Sequence, residues 1–203
     1  MSNLSATSIN SQKLGQRDYT RFWLEPDYFN LECLYATFHK HQYTPHVHET
    51  YAFGVIESGV ELFRNRGCEM QAAAGQAVIV NPDDLHDGRP ATEGFTYRMF
   101  YPAVGLMRSL VNDMTEGHCD QLPSFEHSVL KDQHLAEKTA HLHRTLDSEP
   151  SRLARDNALL DTLCLLIQRH AKFCNAVGQE RESMLRLQKY MLAILHRILV
   201  CKH

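Results

Sequence analysis

Between Leu31 and Tyr101 apolar and polar residues alternate in short runs, separated by turn residues. The segments LECLYATF (31–38), YAFGVI (51–56), VELFRN (60–65), CEMQAA (68–73), QAVIV (76–80) and FTYRMFY (95–101) each carry a period of two. Period two places successive side chains on opposite faces, so each run reads as a half-buried strand. The sequence ESG (57–59) predicts a tight hairpin between the second and third runs. Arg66-Gly67, Gly75, Asn81-Pro82 and Pro102 mark the other boundaries. The stretch from Asp83 to Gly94 is rich in Gly, Pro and Asp and reads as a loop. Six short strands with turns between them predict a sandwich or barrel.

Beyond Pro102 the period becomes 3.6. AVGLMRSLVNDM (103–114) predicts a short helix. Residues 132–148 place Leu135, Thr139, Leu142 and Leu146 on one stripe. Ser148 and Pro150 then look like the cap and first turn of a helix over 151–171. Its apolar band, through LLDTLCLLIQ, is too wide for one contact face. Such a helix is covered on two sides, either deep within its own chain or by a symmetric partner. A last helix is expected over 179–200, with Met184, Leu187, Met191, Ile194 and Ile198 along one side. At the other end, residues 1–17 are Ser/Asn/Gln-rich and read as disordered. Aromatics between Tyr19 and Phe29 suggest an arm that packs onto the body. The organisation is therefore α+β: a disordered start (1–17), an arm and barrel (18–102), a helical segment (103–178) and a tail (179–203).

Composition narrows the function classes. A chain of 203 residues suits one domain with an appendage, and 43% hydrophobic residues is ordinary for a globular chain. A formal charge of −3 gives no footprint for binding nucleic acid through the whole surface. No apolar run approaches the roughly 18–20 residues of a membrane span, and the N-terminus lacks a signal pattern. The expectation is a cytoplasmic protein, without membrane contact, whose six cysteines are reduced.

Of the thirteen histidines, three fall where a constellation is plausible. His46 and His48 stand two apart in PHVHETYAFGV, so an extended backbone turns both imidazoles the same way. His86 lies in NPDDLHDG. Three readings are open: a metal site, contacts to a small molecule in a polar pocket, or hydrogen bonds to loops at a barrel rim. On the second reading His46, His48, Tyr51, His86 and Arg98 are the candidate ligand-binding residues. Arg98 either faces solvent or reaches into a pocket to hold a carboxylate. Arg64 and Arg66 read as solvated hairpin charges.

PHVHETYAFGVIESGVELFRNRG followed by AAAGQAVIVNPDDLHDGRPATEGFTYRMFY closely resembles the N-terminal effector-binding and dimerisation domain of AraC/XylS-family transcriptional regulators. The resemblance spans residues 30–102, and the helices up to 178 fit it more loosely. It implies a cupin-like antiparallel β-barrel (a double-stranded β-helix) followed by helices, with an internal pocket for a small effector, and the polarity of the candidate residues suggests a polar or anionic one. It also implies a homodimer formed through the helices, and DNA binding by a separate C-terminal domain of two helix-turn-helix units. Only about 25 residues follow Gly178, too few for two such units. The chain is therefore read as the sensing part of a regulator, not as an enzyme. Cupin enzymes that hold a metal add a glutamate four or five residues after the HxH. Those positions are Ala52 and Phe53 here, and Glu49 has the wrong strand parity. His46, His48 and His86 alone would suit Zn²⁺, Ni²⁺ or Fe²⁺. The alternative implied function is a stand-alone metal-dependent cupin enzyme, a dioxygenase or isomerase.

Overall fold

A computed structural model describes residues 15–173. The expected helix over 179–200 and most of the N-terminal segment lie outside the described residues. Ten strands and three α-helices follow in order. They are β1 (Tyr19–Glu25), β2 (Leu31–Phe38), β3 (Tyr43–His46), β4 (Ala52–Asn65), β5 (Cys68–Ala73), β6 (Ala77–Val80) and β7 (His86–Tyr101). After them come α1 (Val104–Met114), β8 (Ser124–Phe125), β9 (Val129–Leu130), α2 (Gln133–Ser148), α3 (Arg152–His170) and β10 (Ala171–Lys172).

Eight strands form one sheet in the order β1-β2-β7-β4-β6-β9, with β3 paired to β7 and β5 to β4. Every pairing is antiparallel. The expected barrel is thus a single curled sheet with an open hydrogen-bonded path, because β1 and β9 do not pair with each other. Its curl is evident from the core. One apolar cluster draws only on strands: Leu34, Ala36 and Phe38 of β2, Ala52, Ile56 and Phe63 of β4, Ala72 of β5, Val78 and Val80 of β6, and Phe95, Tyr97, Met99 and Tyr101 of β7. The alternate residues Leu31, Cys33, Phe53 and Phe100 face the other way, into a second cluster shared with all three helices. Alternation along each strand therefore supplies an interior and a helix-covered exterior from the same residues.

Two expectations change. The runs 51–56 and 60–65 are one strand, β4, and ESG is not a hairpin turn. β4 stays paired to β7 throughout, with bulges between Ile56 and Ser58 and between Gly59 and Glu61. Gly59 permits this: its φ is +73°, and a Cβ there would sit 2.1 Å from the carbonyl oxygen of Gly94. The bulges also reverse the parity, since Ile56 and Phe63 both face inward. Likewise the expected loop 83–94 is largely the first half of β7. The aromatic arm is in part β1, an edge strand registered residue by residue on β2.

The helices begin close to where the 3.6 period starts. Asp132 caps α2 by accepting from the Leu135 N–H at 3.1 Å. Ser151, rather than Ser148, caps α3, accepting from the Ala154 N–H at 3.4 Å. Ser148 instead ends α2, its hydroxyl donating to the Arg144 carbonyl. Pro150 disfavours a helical residue before it, which moves the start to Ser151. The wide apolar band of α3 is taken up within the chain, where Leu159, Leu160, Leu163, Leu166 and Ile167 are all buried. Cys33, Cys68 and Cys164 are free thiols, but Cys119 is disulfide-bonded, against the expectation of six reduced cysteines. Among the described residues no helix is long and apolar enough to cross a membrane.

Candidate functional site

The interior of the curled sheet carries the histidines at one end. His46 closes β3 and stands opposite His86, the first residue of β7. His48 follows two residues on. The ring centroids of His46 and His86 are 4.3 Å apart, those of His46 and His48 4.8 Å, and those of His48 and His86 5.1 Å. One nitrogen from each ring can be chosen so that all three lie within 4.8 Å of one another. Sequence reasoning named these three residues, and the fold brings them together.

Local backbone fixes what these rings offer. His46 Nδ1 lies 2.7 Å from the Thr44 carbonyl oxygen, and His86 Nδ1 lies 2.9 Å from that of Asp84. A carbonyl oxygen only accepts, so each Nδ1 carries the proton and each Nε2 keeps its lone pair. His46 Nε2 faces His48 Nε2 at 3.2 Å. Burial lowers the pKa of His46, while the Thr44 carbonyl opposes it. Burial, and then the His46 charge, push His86 down to about 4. Both rings are therefore neutral near pH 7, with acceptor lone pairs turned inward. That is the state required of imidazole ligands, held by carbonyl partners that set the tautomer. The donor set therefore fits a divalent metal, three imidazoles with further positions left to other ligands.

Two residues expected at this site lie elsewhere. Tyr51 faces the helix side, buried, and its hydroxyl donates to the Pro123 carbonyl at 2.7 Å. Arg98 also faces outward. Its Nε donates to Glu57 Oε1 at 2.6 Å, its Nη1 lies 3.1 Å from His143 Nδ1, and its guanidinium stacks 4.4 Å over the Tyr35 ring. Tyr51, just ahead of β4, and Arg98, in β7, share the outward facing of Phe53 and Phe100 two residues on, which belong to the helix-side cluster.

Other polar residues occupy the interior. Tyr101 packs on His48 at 5.1 Å and Tyr43 on His46 at 5.9 Å. The Tyr43 and Tyr97 hydroxyls share a hydrogen bond of 2.8 Å. Asn65 pairs across the ladder with His86. Its amide nitrogen donates to the Ser128 hydroxyl at 2.8 Å, and its buried Oδ1 has no hydrogen-bond partner. The alternation of FTYRMFY already sets Tyr97 and Tyr101 opposite in facing to Arg98. Nothing in the sequence signals the β4 bulges, which turn Asn65 and Glu61 inward.

Solved structures similar to this chain include a Cupin 2 conserved barrel domain protein from Leptotrichia buccalis, 14% identical with a TM-score of 0.39; the match covers 46% of this chain and 45% of that one. The chain thus spans under half the length of that protein. A cupin-like protein from Thermotoga maritima is 17% identical with a TM-score of 0.40, over 44% of this chain and 71% of that one. Oxalate decarboxylase from Bacillus subtilis, studied for its Mn(II) centres, is 14% identical with a TM-score of 0.38, over 42% of this chain and 25% of that one. No curated protein matches the chain in sequence. The family model of the AraC-like ligand binding domain matches residues 28–163, from the 3₁₀ turn after β1 into α3. The chain has an α+β fold, an antiparallel sheet followed by helices, and belongs to the family of AraC-like ligand binding domains.

Proposed function

We propose that the chain is the effector-sensing module of an AraC-type transcriptional regulator, acting in the cytoplasm as a homodimer and passing its state to a DNA-binding domain. The observation that carries this reading is the inward-facing group of imidazoles, His46, His48 and His86, in a domain of a ligand-binding family. A small polar effector bound there touches β3 and β7 together, and β7 also pairs with β2 and β4. Ligand that prefers one arrangement of these strands shifts the population toward it. An anionic effector loses its main support, since Arg98 is engaged outside the interior. The ligand-binding family favours this sensor over a cupin enzyme. Thermal unfolding against a library of small metabolites tests it. A ligand at a hundred times its dissociation constant adds about 2.7 kcal/mol, and His86→Leu removes that gain. A flat response across the library, or a gain that survives His86→Leu, counts against the reading.

A second reading concerns the same three residues. His46, His48 and His86 would hold a divalent cation such as Zn²⁺, Ni²⁺ or Fe²⁺, favoured by the convergence of their nitrogens. When bound, such an ion supplies a Lewis-acidic contact for an oxygen or nitrogen of the effector.

A further inference from the structure

Beyond the histidines, the interior holds a carboxyl group with no counter-charge among the described residues. Glu61 lies on β4 past the second bulge, with the same parity as the inward Phe63. Its neighbours across the ladder are Ala72 on β5 and Pro90 on β7, and neither side chain can donate a hydrogen bond. A Cβ built on Gly88 would sit 2.8 Å from Glu61 Oε1 and 3.4 Å from Tyr43 Cδ2, so carboxyl and ring converge on one point. The Tyr43 hydroxyl is hydrogen-bonded to that of Tyr97, and Tyr97 and Tyr101 line the same inward face of β7. Among the described residues no lysine, arginine or hydrogen-bond donor is recorded in contact with this carboxyl, and the described arginines of β4 and β7 face away from it. Glu61 and Tyr43 are only half-buried, so both stay accessible from outside.

A half-buried carboxylate without a partner is less favourable than one in water, and a cation that enters beside it relieves that cost. Aromatic faces around it attract the same kind of guest. We propose that Glu61, walled by Tyr43, Tyr97 and Tyr101, receives the positively charged group of the effector, and that the effector is an organic ammonium ion. This rests on the sensing function proposed above and specifies the chemistry of its ligand. Burial, and then Asp87, push the Glu61 pKa up to about 8, and an ammonium ion at this point favours the ionised carboxylate.

The test uses the whole chain, with thermal unfolding and calorimetric titration. The probes are choline, tetramethylammonium, acetate and 3,3-dimethylbutan-1-ol, which has the shape of choline without its charge. Choline or tetramethylammonium is expected to stabilise the chain, with the uncharged analogue at least about tenfold weaker, since the pairing is charge-assisted. Glu61→Gln is expected to weaken the ammonium ion by at least about tenfold for the same reason. Gly88→Ala places a methyl group against the carboxyl and is expected to act likewise; it decides the matter should Glu61→Gln fail to fold. The inference is overturned if neither ammonium ion binds, if the neutral analogue binds equally well, or if binding survives both substitutions. Stabilisation by acetate or by uncharged compounds alone would overturn this inference and leave the sensing function standing.

Discussion

The Nδ1–H of His46 reaches a carbonyl two residues back, at Thr44, and that of His86 does the same at Asp84. Two short backbone contacts thus leave the Nε2 atom of each of these two rings with its lone pair. If these residues hold a divalent ion, purified protein carries close to one equivalent by elemental analysis. His46→Ala then lowers metal affinity at least about 100-fold, more than loss of an outer-shell partner does. An unchanged metal content in His46→Ala would assign the ion to another place. The three histidines were legible from spacing and family resemblance. Tyr51 and Arg98 were proposed as neighbours of those histidines, but strand parity sends both to the helix side. Glu61 and Asn65 were invisible, because a bulge is set by how two strands meet and has no period in the sequence.

At the scale of elements, β4 depends on Gly59 and α2 on His143. Gly59 and Gly67 both have positive φ, +73° and +79°, but only Gly59 is pressed against backbone. Gly67→Ala is expected to cost about 1 kcal/mol, the usual effect of alanine in a left-handed conformation. Gly59→Ala adds a clash with Gly94 and is expected to cost at least about 2 kcal/mol more. Urea unfolding of the two variants measures the difference, and equal costs would mean that the close approach is relieved elsewhere. His143 joins α2 to the sheet, fully buried, its Nε2–H donating to the Leu34 carbonyl at 3.1 Å. Its Nδ1 then accepts from Arg98, and the Trp23 ring packs edge-on at 4.7 Å. Burial, and then the Arg98 charge, push its pKa from 6.5 down to about 3. The unfolded chain takes up this proton first. The stability due to His143 is therefore complete above about pH 6.5 and is lost as pH falls toward 3, at up to about 1.4 kcal/mol per pH unit. His143→Gln keeps a donor and an acceptor without the titration. Its unfolding free energy is expected to fall less steeply between pH 6 and pH 4 than that of the parent, and parallel slopes would contradict this.

Across the whole molecule, alternation in the strands and the stripe in α2 made the α+β class legible. The continuous β4 and β7 were hidden behind glycines and a proline that read as turns, although antiparallel strands tolerate both at bulges. The breadth of α3 was legible as burial, and its cover comes from its own chain. Tyr28 donates from its hydroxyl to Asp156 at 2.7 Å, and Arg155 pairs with Glu25, so α3 is also tied to the first strand. One sheet thus separates a helix-packed exterior from a concave interior carrying the imidazoles, the tyrosines and Glu61. The central claim is that small molecules are recognised on that concave side. A crystal structure with the most stabilising compound from a metabolite screen tests this most directly. The account predicts electron density for the compound within contact distance of His46, His86 or Glu61. Density seated between the helices, or against the outward residues Tyr51 and Arg98, would contradict it.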